Sequence, residues 1–453
     1  MTDVQGKVVH GTFLHAPTPE CVEVLEDALI SVDESGQITR VLLTREAEYK
    51  ETLEDALNRE SLLRIPDGCV VIPGFVDLHV HACQYPQLGE ALDAPLEVWL
   101  QQYTFPLEAK FADTRFAQSS YPVLVNDLLR AGTTTATYFA TLHQEASKIL
   151  ARTCMAAGQR ALVGRVVMDD PSTCPSYYRD ASADQAVRET REFIEYVRQH
   201  PENGSARVAP AITPRFIPAC TDEALSGLGD LARDTGCHVQ THCSESDWEH
   251  AYVKERLGES DTRSLDRFGL IGRHTVLAHC NFISDEDMAL MAKRGAGVAH
   301  CAESNAYFAN AVFPLRRALE KGVRVGLGTD IAGGPAHSMF SATRMTMTAS
   351  RMLEAGVNAA LPEGERGVFG AAIDFPAAFH LATAGGGDVL GLPVGAFTVG
   401  NRFDALMVDT RAPEGTIRLF GDTALQDLAQ KIVFTASHTN IRQVWVDGRQ
   451  VAG

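Results

Sequence analysis

The stretch IPGFVDLHVHACQ, residues 72–84, decides the fold of this chain. It begins as an apolar, β-rich run and ends in two histidines, His79 and His81, that are separated by one residue. Because successive side chains of a strand point to opposite faces, both imidazoles lie on the same side. At the end of a buried strand, such a pair is typical of metal chelation. We therefore predict a chelating pair, against the alternative of two buried, hydrogen-bonded histidines.

Seven further β-rich runs follow this one, and amphipathic stretches such as 183–198 and 285–293 lie between them. Strands that alternate with helices indicate a parallel sheet with crossover helices, and eight of them indicate a closed (β/α)8 barrel of the TIM type. The predicted strands are residues 70–79, 133–140, 161–168, 207–212, 238–242, 275–279, 297–300 and 324–328.

The two ends of the chain have a different pattern. Residues 8–41 and 404–451 carry short alternating strands, and Asp447-Gly448 is typical of a hairpin turn. Neither end has enough strands for a well-covered sheet. We predict that both ends form one small β-sandwich domain flanking the barrel. The expected division is 1–69 and 386–453 for that domain and 70–385 for the barrel, with a glycine-rich loop at 385–387.

Composition excludes several classes of function. Of 453 residues, 45% are hydrophobic and 22% charged, which is typical of a soluble globular protein. The net charge of -18 repels phosphate backbones and anionic lipids, so neither a nucleic-acid polymer nor a membrane is an expected partner. The longest apolar runs are far shorter than the roughly 18 residues that a membrane span needs. With no signal-peptide pattern at the start, we predict a cytoplasmic protein.

Ten cysteines occur without a CxxC pair, so we interpret them as reduced, buried thiols. Four of them lie near predicted strand ends, where a thiolate ligand to a metal is the alternative interpretation. These are Cys83, Cys243, Cys280 and Cys301.

Further histidines and acids collect at the carboxyl ends of the predicted strands, where barrel enzymes have their active sites. His242 and Asp330 would complete a metal site begun by His79 and His81, since catalytic zinc takes three or four ligands and keeps a place for water. The alternative for Asp330 is a loop cap.

Two further strand-end groups are candidates for proton transfer. Glu245 follows His242 by three residues, in a loop from which it could handle protons without binding the metal. His279 can orient a metal-bound water, because an imidazole offers a donor and an acceptor near neutral pH. The alternatives are a solvated loop acid for Glu245 and a packing histidine for His279.

The end of strand four reads APAITPRF and lacks a lysine that could bridge two metals. No lysine occurs between Lys148 and Lys254. We therefore predict one metal ion per chain, which would lower the pKa of bound water. Zinc is the expected ion, with iron as the alternative for a histidine-rich site with one carboxylate.

In chain order, PGFVDLHVH, THCSE, LAHC and GLGTDIAGG resemble the amidohydrolase superfamily and, within it, the mononuclear zinc deaminases. PGFVDLHVHACQY, EVWLQQYTFP, GTTTATYFATLH, ITPRF and GTDIAGG are similar to the guanine deaminases of that superfamily, across residues 70–340. The resemblance implies zinc ligands at His79, His81, His242 and Asp330. It also implies that Glu245, His279 and Asp330 act on protons and water.

The same resemblance implies purine contacts at Gln84, Arg215 and Phe216. Gln84 offers both donor and acceptor and Arg215 only donors, which suits the carbonyl oxygen and ring nitrogens of a keto-purine. Phe216 could pack on the ring face. The implied activity is zinc-dependent hydrolytic deamination of guanine to xanthine and ammonia. The resemblance also implies a homodimer, and the small-molecule purine substrate is its other expected partner.

The sequence departs from the family after strand seven. Residues 300–305, HCAESN, have Ala302 and Glu303 where the family has HCPxSN. Because this loop lies on the active face, related heterocycles are alternative substrates: 8-oxoguanine, a pterin, an aminotriazine or an adenosine-like compound. Two further alternatives are cyclic amide hydrolysis, which the missing lysine disfavours, and an inactive binding or scaffold homologue, which the full set of acids and ligands disfavours.

Overall fold

The computed structural model describes residues 2–309 and 311–453. Its strands form two sheets of eight strands each. The strands are β1 Val8–Thr18, β2 Cys21–Val32, β3 Ile38–Leu42, β4 Leu62–Arg64, β5 Cys69–Pro73, β6 Phe75–His81, β7 Thr133–Phe139, β8 Arg160–Val167, β9 Val208–Pro214, β10 His238–Cys243, β11 Thr275–His279, β12 Gly297–His300, β13 Arg324–Leu327, β14 Ala405–Asp409, β15 Ile441–Val446 and β16 Arg449–Ala452.

Strands β6 to β13 form the central sheet, in which each strand pairs in parallel with the next along the chain. Strands β6, β7 and β8 are buried throughout, as expected for parallel strands covered by helices. The segment after β13 joins the sheet to β6: the Asp330 amide donates to the His79 carbonyl (2.9 Å), and the His81 amide donates to the Ile331 carbonyl (2.8 Å). The predicted (β/α)8 barrel is confirmed, and it closes beside the predicted metal ligands.

The other eight strands form a mixed outer sheet that both chain ends build together. Its order is β16-β15-β14-β5-β1-β2-β3, with β4 beside β1. Strand β5 joins the two ends, because it runs parallel to β1 and antiparallel to β14. The hairpin at Asp447-Gly448 connects β15 and β16 as predicted. The first two strands have 11 and 12 residues and are therefore longer than expected.

The strand predicted over residues 70–79 is wrong as a single element. Residues Cys69–Pro73 belong to the outer sheet and Phe75–His81 to the barrel, with Gly74 between them. The Gly74 amide donates to the Asp404 carbonyl (2.9 Å), at the point where the chain passes from one sheet to the other. An unbroken apolar run does not reveal which of two buried sheets each half joins.

Helices follow the barrel strands and begin at polar caps: the side chains of Ser182, Thr221 and Ser284 each accept a hydrogen bond from a first-turn amide. The helices are α1 Tyr49–Asn58, α2 Leu96–Trp99, α3 Phe105–Ala109, α4 Thr114–Arg130, α5 Gln144–Ala157, α6 Ala183–Gln199, α7 Asp222–Thr235, α8 Asp247–Leu257, α9 Asp261–Arg267, α10 Asp285–Arg294, α11 Ala302–Ser304, α12 Leu315–Glu320, α13 Met339–Ala355, α14 Phe375–Ala382, α15 Ala384–Leu390 and α16 Leu425–Thr435. Short 3₁₀ or π turns are Ala82–Gln87, Leu100–Thr104, Lys110–Ala112, Pro201–Asn203, Ile217–Ala219, Asn305–Ala309, Glu363–Glu365 and His438–Asn440.

The glycine-rich loop predicted at 385–387 is also wrong, because these glycines lie inside α15. They are required for close packing rather than for a turn. A Cβ atom at Gly386 would lie 2.7 Å from the Cβ atom of Val76 in β6, which no ordinary side-chain contact allows. The helix therefore packs directly against a barrel strand.

The apolar residues of the two units are continuous. Phe13, Val71, Phe403 and Trp445 form part of the core of the outer sheet. A larger core lies between the barrel strands and their helices and includes residues from the other face of the outer sheet, such as Leu14 and Ile72. Among the described residues, none of the helices is both long and apolar enough to cross a bilayer.

Candidate active site

The structure brings the four predicted metal ligands together at the carboxyl ends of the barrel strands. His79 and His81 end β6, His242 ends β10, and Asp330 follows β13. Asp330 Oδ1 lies 3.2 Å from His79 Nε2 and 3.5 Å from His81 Nε2. His81 Nε2 lies 3.0 Å from His242 Nε2. The mutually close donors form two groups that share His79: one adds His81 and Asp330, and the other adds His242 and His279.

This donor set fits a metal ion. His79 Nε2 is buried and makes no hydrogen bond to any described residue. Burial lowers the pKa of His79, and burial together with neighbouring imidazoles lowers the pKa of His81 and His242 well below the usual value. Burial opposes ionisation of Asp330, but the imidazoles outweigh burial and lower its pKa. Neutral imidazoles and an ionised carboxylate are the forms that bind metals.

Neighbouring groups orient these side chains. His242 Nδ1 lies 2.5 Å from the Arg215 carbonyl, which accepts only, so Nδ1 carries the proton and Nε2 keeps its lone pair. The buried Asp77 carboxylate accepts from the Thr329 amide (3.0 Å), the Thr329 hydroxyl (2.6 Å) and the His79 amide (3.2 Å). Asp77 therefore holds β6 against the segment that ends in Asp330.

Glu245 and His279 lie beside the four convergent groups. His279 Nε2 is 3.6 Å from Glu245 Oε1 and 3.8 Å from Asp330 Oδ2. His279 Nδ1 is 2.9 Å from Asn305 Oδ1. Burial raises the pKa of Glu245, so this carboxyl group holds a proton more readily than a solvated glutamate does.

Two side chains fix the backbone of Glu245. Its amide donates to Glu249 Oε2 (2.7 Å), and its carbonyl accepts from Asn281 Nδ2 (2.8 Å). Glu249 is buried near Asp261, and burial together with that second carboxyl raises the pKa of Glu249 well above its usual value. The loop that carries Glu245 is thus held on both sides.

A cavity opens above this cluster and measures about 400 Å³ with its mouth. Its wall contains the predicted purine contacts Gln84, Arg215 and Phe216. Glu245 and three of the four predicted metal ligands line the same cavity. Apolar side chains cover the rest of the wall, and the sequence did not single them out individually. The complete lining is His81, Gln84, Leu96, Trp99, Leu100, Arg215, Phe216, His242, Glu245, Phe308, Asp330 and Gly333.

Sequence reasoning missed Glu108, which lies behind the cavity wall. Its carboxylate accepts hydrogen bonds from Gln84 Nε2 (2.8 Å) and from both terminal nitrogens of Arg215 (2.6 and 3.1 Å). The available signal was an acid that follows EVWLQQYTFP after the single residue Leu107. Asn305 was also missed as the partner of His279, although it lies in the loop noted after strand seven.

The four cysteines near the strand ends are all buried and free. Burial raises the pKa of the Cys83 and Cys301 thiols, so both are protonated at neutral pH. None of the four belongs to the groups of converging donors found among the described residues. These four cysteines are therefore interpreted as buried thiols and not as metal ligands.

Comparison with known proteins assigns the class. The model of the amidohydrolase family matches residues 70–451. The chain therefore belongs to the amidohydrolase family, as the barrel and its histidine cluster indicate.

Within that family, this chain is similar to several deaminases. A probable guanine deaminase from Schizosaccharomyces pombe is 36% identical over 98% of this chain and 83% of its own. The solved structure of guanine deaminase from C. acetobutylicum, with guanine bound in its active site, matches with a TM-score of 0.85 and 31% identity over 98% of this chain and 99% of that one. An adenosine deaminase from Xanthomonas campestris, solved with bound zinc, matches with a TM-score of 0.80 and 25% identity over 98% of this chain and 92% of that one.

Proposed function

We propose that this protein is a guanine deaminase. It is a hydrolase that acts on a carbon–nitrogen bond of a cyclic amidine: guanine and water give xanthine and ammonia. The observation that carries this proposal is that one cavity is lined by three of the four proposed metal ligands together with Glu245, Gln84 and Arg215. The guanine deaminases similar to this chain, one with guanine bound, support the choice of substrate.

His79, His81, His242 and Asp330 would hold one metal ion, for which we propose zinc. When bound, zinc would supply Lewis acidity that brings the pKa of a ligated water towards neutrality. The histidine-rich donor set and the zinc in the similar adenosine deaminase support this choice, and iron is the alternative.

The carboxyl groups of this chain move the protons. Asp330 accepts a proton from the attacking water while Glu245 donates one to a ring nitrogen of guanine. His279 Nε2 accepts a hydrogen bond from the water, because the proton of this ring lies on Nδ1, facing Asn305. Asp330 then donates its proton to the amine, which leaves as ammonia, while the ionised Glu245 accepts the proton of the new hydroxyl group as the carbonyl of xanthine forms.

The purine itself is held by the cavity wall. The Arg215 guanidinium donates to the carbonyl oxygen of guanine, and Gln84 pairs with a neighbouring polar atom of the ring edge. Phe216 packs against the ring face, and Trp99, Leu100 and Phe308 reduce access of bulk water.

The first test replaces Glu245 by glutamine. Turnover of guanine, measured as ammonia release, should fall by about 100- to 10,000-fold because a positioned acid and base is lost. The metal content should stay at the wild-type value, since Glu245 is outside the proposed ligand set. Glu255→Gln changes an exposed acid of α8, the helix that follows Glu245, and should have wild-type turnover. Near-wild-type turnover of Glu245→Gln would contradict the proposed mechanism.

Substrate choice is tested on the wild-type protein with guanine, 8-oxoguanine, pterin, adenine and cytosine. We expect conversion of guanine to xanthine with one metal per chain. Activity confined to another heterocycle would support the same deamination chemistry with a different substrate. Two metals per chain would support cyclic amide hydrolysis instead, and no turnover by the metal-loaded protein would support the binding-module alternative.

We also propose that the protein is a cytoplasmic homodimer. All ten cysteines are free thiols, which suits a reducing compartment. Light scattering on the purified protein should give twice the chain mass, and the mass of a single chain would contradict the dimer.

A further inference from the structure

Glu108 is a buried carboxylate that contacts two of the proposed purine-binding side chains at once. Oε1 accepts from Gln84 Nε2 (2.8 Å) and from one Arg215 nitrogen (3.1 Å), and Oε2 accepts from the other (2.6 Å). Glu108 is fully buried. It is a positioning group, because it acts on the cavity through these two neighbours.

The partners of Gln84 determine which way its amide faces. The Glu108 carboxylate beside a guanidinium only accepts hydrogen bonds, so it must face the Gln84 nitrogen. On the other side, the Ala332 amide only donates, and it donates to Gln84 Oε1 (3.2 Å). Rotating the amide by 180° would place two acceptors together and two donors together. Gln84 therefore has one defined orientation, with one N–H and one lone pair left for a ligand.

Arg215 is held in the same way. The two hydrogen bonds to Glu108 fix the plane of the guanidinium, and the guanidinium carbon lies 4.9 Å from the centre of the Phe105 ring. Burial opposes the charge of Arg215, but the Glu108 carboxylate outweighs it and raises the pKa of the guanidinium. A group in this state presents only donors to a ligand.

We propose that Glu108 determines purine specificity by fixing Gln84 and Arg215 in a pattern that accepts a ring carbonyl and rejects an amino group at the same position. The inference rests on the proposed function. Guanine and 2,6-diaminopurine are suitable probes, because both carry the 2-amino group to be hydrolysed and they differ chiefly at position 6, where one has oxygen and the other an amino group.

The test is Glu108→Gln, which retains the shape and removes the charge. The introduced amide can both donate and accept, so Glu108 no longer determines which way the Gln84 amide faces, and only the Ala332 amide still opposes its rotation. For guanine, kcat/KM should fall by about 10- to 100-fold, mostly through KM, as for the loss of a charge-assisted hydrogen bond. The kcat/KM for 2,6-diaminopurine should change little. The ratio of kcat/KM for guanine to kcat/KM for 2,6-diaminopurine should therefore decrease. A merely structural defect would instead lower both values equally and act on kcat.

Three comparisons complete the experiment. Glu97→Gln makes the same chemical change at an exposed position of α2 and should have the wild-type ratio. Hypoxanthine and adenine lack the 2-amino group, so their affinities can be measured without turnover. Glu108→Gln should weaken the binding of hypoxanthine more than the binding of adenine. If Glu108→Gln does not fold, the double variant Glu108→Gln/Gln84→Glu keeps one carboxylate and one amide, and it should also lose the preference for the carbonyl purine.

The failures of the two proposals are distinguishable. A wild-type protein that does not hydrolyse guanine would contradict the proposed function, and the hypoxanthine and adenine affinities would still test Glu108. A wild-type protein that prefers guanine, with an unchanged ratio in Glu108→Gln or in the double variant, would overturn this inference alone.

Discussion

At the scale of single residues, two imidazoles of the site, those of His242 and His279, use one nitrogen for positioning and keep the other for chemistry. His242 Nδ1 faces the Arg215 carbonyl, and His279 Nδ1 faces the side-chain oxygen of Asn305. Such contacts set the tautomer of the ring, so the chemistry of a histidine depends on a neighbouring carbonyl or amide oxygen that itself binds neither metal nor substrate.

Replacing Asn305 by alanine tests this dependence. The His279 ring loses its acceptor at Nδ1, and the proton can then occupy either nitrogen. We expect kcat for guanine to fall by about 10- to 100-fold with unchanged metal content, the usual range for loss of an outer partner of this kind. Asn305→Asp keeps an acceptor and should restore part of the activity. Asn126→Ala, at an exposed position of α4, is the control, and equal kcat in both alanine variants would refute the role of Asn305.

At the scale of elements, the end of β13 closes the barrel and supplies Asp330. Close packing makes this closure possible: a Cβ atom at Gly328 would lie 2.9 Å from the His79 Cβ and 2.9 Å from the Cys301 sulfur. Any larger side chain must push the end of β13 away from His79, which lies in β6, and from Cys301, which directly follows β12.

Gly328→Ala should therefore destabilise the protein by about 1–3 kcal/mol, the usual cost of overpacking a well-packed core. Because Asp330 is two residues away, the bound metal per chain should also decrease. Thermal unfolding and metal analysis measure the two effects. Gly204→Ala adds a methyl group where nothing lies within 4 Å and should behave as wild type. A Gly328→Ala protein with wild-type melting temperature and metal content would show that the packing is looser than described.

At the scale of the whole molecule, a buried ionic cluster connects the outer sheet to the barrel. Asp447, in the hairpin between β15 and β16, accepts from Arg160 of β8 (2.6 Å), from Arg207 (2.8 Å) and from Arg402 (2.5 Å). Asp404 accepts from Arg160 as well (2.9 Å). This cluster joins the carboxyl-terminal part of the chain to strands that lie more than 200 residues earlier.

Asp447→Asn removes the central charge of this cluster without changing its shape. Burial opposes ionisation of Asp447, but the arginines outweigh burial and lower its pKa to about 2. An unfolded aspartate titrates near pH ~4, so the stabilisation is complete above about pH 4 and is lost as the pH falls towards 2. At pH 7 the variant should be less stable by about 2–3 kcal/mol, because a pKa shift of about two units is worth about 1.4 kcal/mol per unit.

Urea unfolding of both proteins at a series of pH values measures this difference. The free energies of unfolding of wild type and variant should converge as the pH falls from about 4 to about 2. Asp67→Asn, at an exposed position, should follow the wild type throughout. A difference that is the same at every pH would contradict the electrostatic origin.

Most of the fold could be predicted from local pattern. The strands Thr275–His279 and Gly297–His300 were predicted to the residue, and the other barrel strands from β7 onward to within two residues, because buried strands have a characteristic apolar run and end in polar residues. The assignment of residues 70–73 to the barrel failed, since the two sheets are equally apolar along this run. The glycines at 385–387 indicated a loop because close packing of a helix has no local signature.

The sequence alone was sufficient to place histidines and acids at strand ends, and hence to indicate a barrel with a metal-binding donor set, because both signals lie within a few consecutive residues. The structure was needed for the groups that hold this set in place: Glu108 behind Gln84 and Arg215, Asn305 behind His279, and Asp77 behind Thr329. The physical reason is that these contacts join residues of different elements, and a hydrogen bond between distant positions leaves no pattern in either local stretch.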